Sequence, residues 1–317
     1  MSFASSKINF SGFLPIDKKH FIVFAAFSLL YLSWTNFVIG FRTDHMSFYI
    51  FIFLMFFLHQ WTRTMVYCFI FFIAFWIIYD SMRIYPNYLV NEVRIIEPYL
   101  IELDLFGIEN GTMELTPNEY LKLHSNTFLD IISGFFYLTW VPVPIGLGIY
   151  LFFKDKPMML RFSAAYLFAN LLGFCIYYLY PAAPPWYFEK YGDVEKFSIP
   201  GDPAQLIRFD ELIDYPLFTQ IYSKNSNVFA AIPSLHSAYP VISWYYARKK
   251  GLKIGSIIIF IDILGIWFAA VYSNHHYVID VVLGFGCAVG ALLIFEGWLY
   301  KTQVSKYLNR YIKFAEN

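Results

Sequence analysis

Long apolar runs, parted by short charged breaks or by two long polar stretches, set the pattern of this chain. The runs occupy roughly residues 20–40, 46–61, 64–80, 127–153, 158–180, 233–247, 254–272 and 276–300. A helix that crosses a bilayer needs about 20 mostly apolar residues, because each residue rises about 1.5 Å through a hydrocarbon layer about 30 Å thick. The pattern predicts an all-α polytopic membrane protein with about eight transmembrane helices. The second and sixth runs are short for a full crossing, and the sixth opens with Pro233, which a first helical turn tolerates. The first run starts after about twenty residues of mixed polarity and no small-residue cleavage site follows it, so it reads as a retained span and not as a cleaved leader.

Two long stretches face one side in this reading. Residues 81–126 carry Glu92, Glu97, Glu102, Asp104, Glu109, Glu114 and Glu119, and residues 181–232 are rich in proline, tyrosine and acids. Loops of this length in a compact protein are usually functional, with a simple folded cap as the plain alternative for the first. Their aromatic residues are expected at the headgroup level, where Trp and Tyr concentrate.

Composition sharpens the class. Of 317 residues, 58% are hydrophobic, 22% aromatic and 15% charged, against about 45–50% apolar and about 25% charged in an ordinary soluble domain. A water-soluble globule cannot pack that surplus inside, so a soluble enzyme and a disordered chain are excluded. The 23 basic and 23 acidic residues cancel, which leaves no basic surplus for nucleic acid. With eight spans, fifteen Lys and Arg, from Lys7, Lys18 and Lys19 to Lys306, Arg310 and Lys313, fall on the side of the two termini, and eight on the other. The positive-inside rule then puts both termini in the cytoplasm and the two long loops on the periplasmic or lumenal side. Cys68, Cys175 and Cys287 are odd in number and far apart, with neither zinc spacing nor a disulfide framework.

Candidate chemistry lies with the histidines. His20, His45, His59 and His124 stand singly near span ends and read as interfacial or structural. The other three fall in two motifs. In Ala231-Ile232-Pro233-Ser234-Leu235-His236-Ser237 a helix start offers free N–H groups and a positive dipole end to an anion. Ser234 adds a hydroxyl there, and His236 follows as acid or base. In Ser273-Asn274-His275-His276-Tyr277-Val278-Ile279-Asp280 the spacing of four is expected to stack His276 and Asp280 on one helix face. A carboxylate on one ring nitrogen fixes the tautomer and leaves the other as a nucleophile. His275, if helical, points away from that partner. Both motifs begin helices on the same side, so they are expected to meet. A third feature, Tyr180-Pro181-Ala182-Ala183-Pro184-Pro185-Trp186-Tyr187, reads as a stiff extended turn with Trp186 and Tyr187 as interface anchors.

Together these segments resemble the type 2 phosphatidic acid phosphatase superfamily, whose six-helix core carries the motifs KxxxxxxRP, PSGH and SRxxxxxHxxxD. Pro233-Ser234-Leu235-His236 matches the second and His276 to Asp280 the third. The chain departs at Leu235, where the motif has glycine, at Tyr180, where it has arginine, and at Ala269 and Ala270, where it has serine and arginine. Those departures are similar to the inositol phosphorylceramide synthase branch, with its aromatic-Pro-x-Ala-Pro segment, PSLHS and HHYxxD. The resemblance covers roughly residues 125–300, which hold five of the eight runs, so one of the first three has to complete the six-helix core. It divides the chain into residues 1–125 with N-terminal helices and the first long loop, a catalytic region at 126–300, and a tail at 301–317.

The resemblance implies a phosphotransferase in which His276 attacks phosphorus, Asp280 orients it and His236 moves the proton, with no cofactor and no metal. Its partners would be a phospholipid donor and a lipid alcohol such as ceramide, and Ser234, Tyr180, Pro181, Trp186, Tyr187 and His275 would line the substrate. Ser234, helix N–H groups, Lys190, Arg208 and Lys224 are candidates to replace the missing arginines. A phosphatase for phosphatidate or a polyprenyl pyrophosphate is the alternative enzyme. A metal site built from His236, His275, His276 and Asp280 and a non-catalytic scaffold are alternatives of other classes. Asp262 and Glu296 inside spans are expected to bond one another or backbone, and Gly286 and Gly290 to mark close helix packing.

Overall fold

A computed structural model describes residues 16–197 and 199–316, so Lys7 and the last residue of the tail lie outside the described residues. The helices are α1 (Lys18–Trp34), α2 (Thr43–Leu58), α3 (Gln60–Cys68), α4 (Ile70–Ser81), α5 (Ile96–Phe106), α6 (Pro117–Leu123), α7 (Thr127–Leu138), α8 (Pro142–Lys154), α9 (Lys156–Leu179), α10 (Pro185–Tyr191), α11 (Ile207–Leu212), α12 (Leu217–Tyr222), α13 (Leu235–Lys249), α14 (Lys253–Tyr272), α15 (Val278–Gly297) and α16 (Gln303–Glu316). A small antiparallel hairpin, β1 (Ile108–Asn110) with β2 (Met113–Leu115), sits in the first long loop.

Each apolar run is helical, and among the described residues four to six candidate spans stand out by length and composition. Among the described residues, four helices are long and apolar enough to cross a membrane: Lys18–Ile39, α9, α14 and Val278–Lys301. Two pairs join them if each counts as one span, α3 with α4, bent by 55°, and α7 with α8, bent by 41°. The other two runs form shorter helices. α2 has 16 residues and α13 has 15, with Pro240 inside, yet α13 runs from His236 at one end of the bundle to Lys249, paired with Glu296, at the other.

The core shows which early run completes the catalytic bundle. Cys68 and Phe72, from the third run, belong to the same buried cluster as Leu151, Met159, Phe162, Ala238, Ile242, Ala288 and Phe295. Phe72 rests against Tyr166 at 4.7 Å between ring centres. α3–α4 therefore packs with α7–α8, α9, α13, α14 and α15. The helices approach closely through small buried residues such as Ser163, Ala165, Ala169, Ala238 and Ala288, as expected where lipid removes any hydrophobic drive between helices. α1 and α2 lie to one side in a separate cluster around Phe24, Ile52 and Phe56.

Buried charges close the end of the bundle where α1 begins and α16 docks. Glu296 is ion-paired with Arg161 and Lys249 and accepts from the Tyr246 hydroxyl. The Arg161 guanidinium lies 3.5 Å from the centre of the Tyr300 ring. α16 docks at this end, with Glu316 on Lys156 at 2.7 Å and Phe314 5.0 Å from the His20 ring. Asp262 instead accepts from Thr139 at 2.6 Å, so the expected partnership of Asp262 with Glu296 or with backbone is replaced by two side-chain networks. Gly286 and Gly290 are also corrected: a Cβ at either would meet nothing within 4 Å, whereas one at Gly284 would collide with the Ser234 carbonyl oxygen. Gly284 is the close-packing glycine.

Candidate active site

The site forms at the other end, where α13 and α15 begin side by side. Ser234 caps α13, its Oγ accepting from the Ser237 N–H at 3.4 Å and the Ser237 hydroxyl at 3.0 Å. The Ser234 N–H donates to the Asp280 carbonyl at 3.0 Å, which ties the two motifs together through backbone. Leu235 packs on α9, where a Cβ at Gly173 would lie 2.7 Å from its side chain. That contact gives the leucine at this motif position a packing role.

The three expected catalytic groups are in contact. His236 Nδ1 lies 3.3 Å from His276 Nε2, and His276 Nδ1 lies 3.4 Å from Asp280 Oδ2. The Tyr137 hydroxyl, which sequence reasoning missed, lies 3.3 Å from His236 Nδ1, and Trp140 covers the His236 ring edge-on at 4.7 Å. The His276–Asp280 contact arises differently from expectation. α15 starts at Val278, so His276 is not on the helix. Asp280 in the first turn folds back, accepts the Tyr277 N–H at 2.9 Å, and so meets the preceding imidazole. With His276 Nδ1–H facing the carboxylate, Nε2 carries the lone pair. Burial lowers the pKa of His276 to about 4, against a smaller opposing effect of the Ala231 carbonyl, so the ring is neutral near pH 7.

His275 does not face this group. Asn274 adopts a left-handed conformation, φ 64°, and His275 turns into the second long loop. Its Nε2 meets the Pro203 carbonyl at 3.0 Å, and its ring stacks on Tyr222 at 4.2 Å and Tyr137 at 5.5 Å. Among the described residues no group of three or more His, Cys, Asp or Glu is placed to hold a metal ion.

The proline segment acts mainly through backbone. Ala182 bridges Arg94 of the first loop and Ala230 ahead of α13, with Ala182 N–H donating to Phe229 O at 3.1 Å and Arg94 N–H to Pro181 O at 2.8 Å. Tyr180 is half-buried and Pro181 buried. Trp186 and Tyr187 are not interface anchors. They are 7% and 0% exposed inside a loop cluster with Val93, Ile95 and Phe229, because the two loops fold on each other and bury these rings. The Trp186 N–H donates to the Asn274 carbonyl at 3.1 Å.

The loop cations are largely engaged. Lys190 pairs with Asp202 at 2.9 Å. Arg208 Nε donates to Asp130 at 2.7 Å and its Nη1 to Gln205 at 2.7 Å. Lys224 is exposed. Sequence reasoning also missed Glu102 and Asn118 of the first loop. Both Glu102 oxygens accept from the start of α15, Val278 N–H at 2.8 Å and Ile279 N–H at 3.1 Å. Burial raises the Glu102 carboxyl to about 7, opposed by those two N–H groups. Asn118 donates to the carbonyls of Val271 and His276, each at 2.9 Å.

Comparison with known proteins identifies the family. Residues 111–294 match the PAP2 superfamily. The chain belongs to that superfamily. The matched stretch holds His236, His276 and Asp280. The sequence is 41% identical to the phosphoinositol dihydroceramide synthase of Bacteroides thetaiotaomicron over 95% of this chain and 99% of that one. It is 32% identical to the inositol phosphorylceramide synthase of Candida albicans over 56% of this chain and 39% of the relative, and 30% identical to the catalytic subunit of that synthase from Saccharomyces cerevisiae over 53% and 42%. The chain spans less than half the length of these two fungal relatives. No solved structure matches the chain. The resemblance drawn from the PSLHS and HHYxxD segments thus extends to a bacterial synthase along nearly the whole chain.

Proposed function

We propose that this chain transfers inositol phosphate from a phosphatidylinositol-type donor to ceramide or a similar lipid alcohol. The observation that carries the reading is the continuous contact of His236, His276 and Asp280 across two helix starts. The similarity to a phosphoinositol dihydroceramide synthase, 41% identical over 95% of this chain, supports the donor and acceptor.

In the proposed first half-reaction, His276 Nε2 attacks phosphorus. A P–N bond forms and the P–O bond to the diacylglycerol oxygen breaks. His236, protonated, gives its proton to that leaving oxygen. Asp280 holds the Nδ1–H of His276 and balances its developing positive charge. In the second half-reaction the lipid alcohol passes its proton to His236, its oxygen attacks phosphorus, and the P–N bond breaks. Burial keeps a lone imidazole neutral, and the anionic phosphodiester supplies the charge that lets His236 carry a proton. The 3.3 Å ring-to-ring contact occupies the space a phosphorus needs beside Nε2, so donor entry separates the rings and leaves His236 beside the departing oxygen.

The distribution of Lys and Arg supports a site on the non-cytoplasmic face with both termini in the cytoplasm. Tyr180 and Ser234 are the substrate-facing candidates of the original set, whereas Trp186, Tyr187 and His275 act through packing. The test is turnover in lipid vesicles holding labelled phosphatidylinositol, with and without ceramide. Label should move to ceramide. Release of free inositol phosphate or phosphate at the same rate without lipid alcohol would point to the phosphatase alternative.

A further inference from the structure

The segment from Ser273 to Ile279 carries the nucleophile, and both long loops hold part of its backbone. Ser273 O accepts from Gln205 N–H at 3.1 Å and Asn274 O from Trp186 N–H at 3.1 Å, both from the second loop. The Asn274 side chain donates to Glu189 at 2.6 Å. The N–H groups of Ser273, Asn274, His275 and His276 return to carbonyls at the end of α14, and the first loop takes groups further along. Asn118 bridges the carbonyl of His276 to that of Val271 at the end of α14. Glu102 takes the N–H groups of Val278 and Ile279, two of the donors that a helix start leaves without intrahelical partners.

We propose that Glu102 and Asn118 are positioning residues that fix the orientation of His276 against Asp280 and His236. Glu102 is 0% and Asn118 1% exposed. Burying a carboxylate is costly unless it is fully bonded, and here both oxygens are spent on Val278 and Ile279, two of the three residues between His276 and Asp280. Asn118 grips the nucleophile's own carbonyl. Together they fix the chain on the carbonyl side of His276, while the His276 N–H is held by the Ala270 carbonyl, so the imidazole varies mainly about its side-chain torsions, which Asp280 restrains. A loop merely anchored to the bundle needs no such bonds to the backbone of the nucleophile, since its contacts to α10 and the proline segment already anchor it.

The inference rests on His276 being the nucleophile, and the experiment separates the two. Wild type, Glu102→Gln, Asn118→Asp, His276→Ala and the exposed-loop control Glu109→Gln are purified full length in detergent–lipid micelles. Phosphoenzyme formation from labelled phosphatidylinositol is followed in a single turnover, with donor KM, kcat and thermal midpoint measured alongside. Misplacing a reacting group by about 1 Å costs on the order of 10²-fold. The expected result is a fall of about 10–100-fold in kcat and in the rate of phosphoenzyme formation for Glu102→Gln and Asn118→Asp, with donor KM within about twofold. Glu109→Gln should match wild type. Either first-loop variant suffices if the other does not fold. Wild-type kcat in a folded Glu102→Gln or Asn118→Asp protein, while His276→Ala forms no phosphoenzyme, overturns the positioning role. Phosphoenzyme in His276→Ala overturns the underlying reading instead.

Discussion

A single methyl group at Gly284 tests whether the approach of α15 to α13 sets the site. Gly284 lies one turn beyond Asp280 and faces the start of α13. An added Cβ would run into the Ser234 carbonyl oxygen and sit 3.2 Å from Ser237 Cβ. The obstacle is backbone, which cannot swing aside as a long side chain does. Relief requires the helices to part by about 1 Å, and overpacking of this kind costs about 1–3 kcal/mol. The same movement stretches the 3.0 Å bond from Ser234 N–H to Asp280 O and the 3.3 Å contact between the two histidines. Gly284→Ala should therefore lower kcat by about 10²-fold while much of the protein stays folded. Gly286→Ala and Gly290→Ala on the same helix meet open space. They should keep kcat within about twofold and stabilise the helix by up to about 1 kcal/mol. Transfer of label to ceramide gives kcat, and thermal unfolding in the same detergent gives the stability term. A Gly284→Ala enzyme that turns over like wild type would refute the reasoning, as would equal damage from Gly286→Ala.

Three other outcomes follow from the geometry. His236→Ala should lose about 10²–10⁴-fold in kcat, the usual value of general acid–base help, and should still label slowly, whereas His276→Ala should form no labelled phosphoenzyme at all; denaturing gel analysis of labelled protein distinguishes them. Asp280→Asn preserves shape but removes the carboxylate that holds Nδ1–H, so kcat should drop on the order of 10²–10⁴-fold with unchanged donor KM in steady-state assays. The His276 value of about 4 lies below the unfolded value of about 6.5. Between them the unfolded state binds the extra proton, so the stability due to the neutral ring is complete above about 6.5 and is lost as pH falls toward 4. The acid limb of kcat/KM should lie nearer 4 than 6.5, and a pH profile with its lower midpoint at 6.5 would contradict the burial argument.

The parts of the architecture that depend on local pattern were readable in the sequence. Every apolar run became a helix, and the spacing of Ser234, His236, His276 and Asp280 foretold their meeting, because each motif opens a helix at the same end of the bundle. What escaped depends on partners distant in the chain. Glu102 is one of seven carboxylates in its loop, and no local pattern marks it as the buried one. Gly286 and Gly290 have the spacing of a packing motif, yet the tight glycine is Gly284, since its partner is a carbonyl on another helix. Paired histidines look like paired ligands, but His275 bonds the Pro203 carbonyl and stacks on Tyr222, whereas His276 meets His236 and Asp280. The interfacial reading of Trp186 and Tyr187 failed because the two loops bury each other's aromatic rings.

The absent arginines become intelligible through the charge of the proposed donor. Ala269 and Ala270, which stand where the superfamily motif has serine and arginine, are both 0% exposed. The Ala270 carbonyl accepts the N–H groups of His275 at 3.2 Å and His276 at 3.1 Å. The loop cations Lys190, Arg208 and Arg94 each already face a carboxylate. A phosphomonoester such as phosphatidate carries about −1.5 to −2 charges at pH 7, whereas the phosphodiester of phosphatidylinositol carries one. A site with one mobile proton on His236 and a helix start can balance a single charge, but it leaves most of a second charge uncompensated in a desolvated setting. The enzyme should therefore favour the diester by on the order of 10²-fold or more in kcat/KM over phosphatidate of matched acyl chains, since an unpaired buried charge costs about 3 kcal/mol or more. Competition assays in mixed micelles measure that ratio directly. Equal turnover of phosphatidate would mean that a cation reaches the phosphate, and would return the phosphatase alternative to the front.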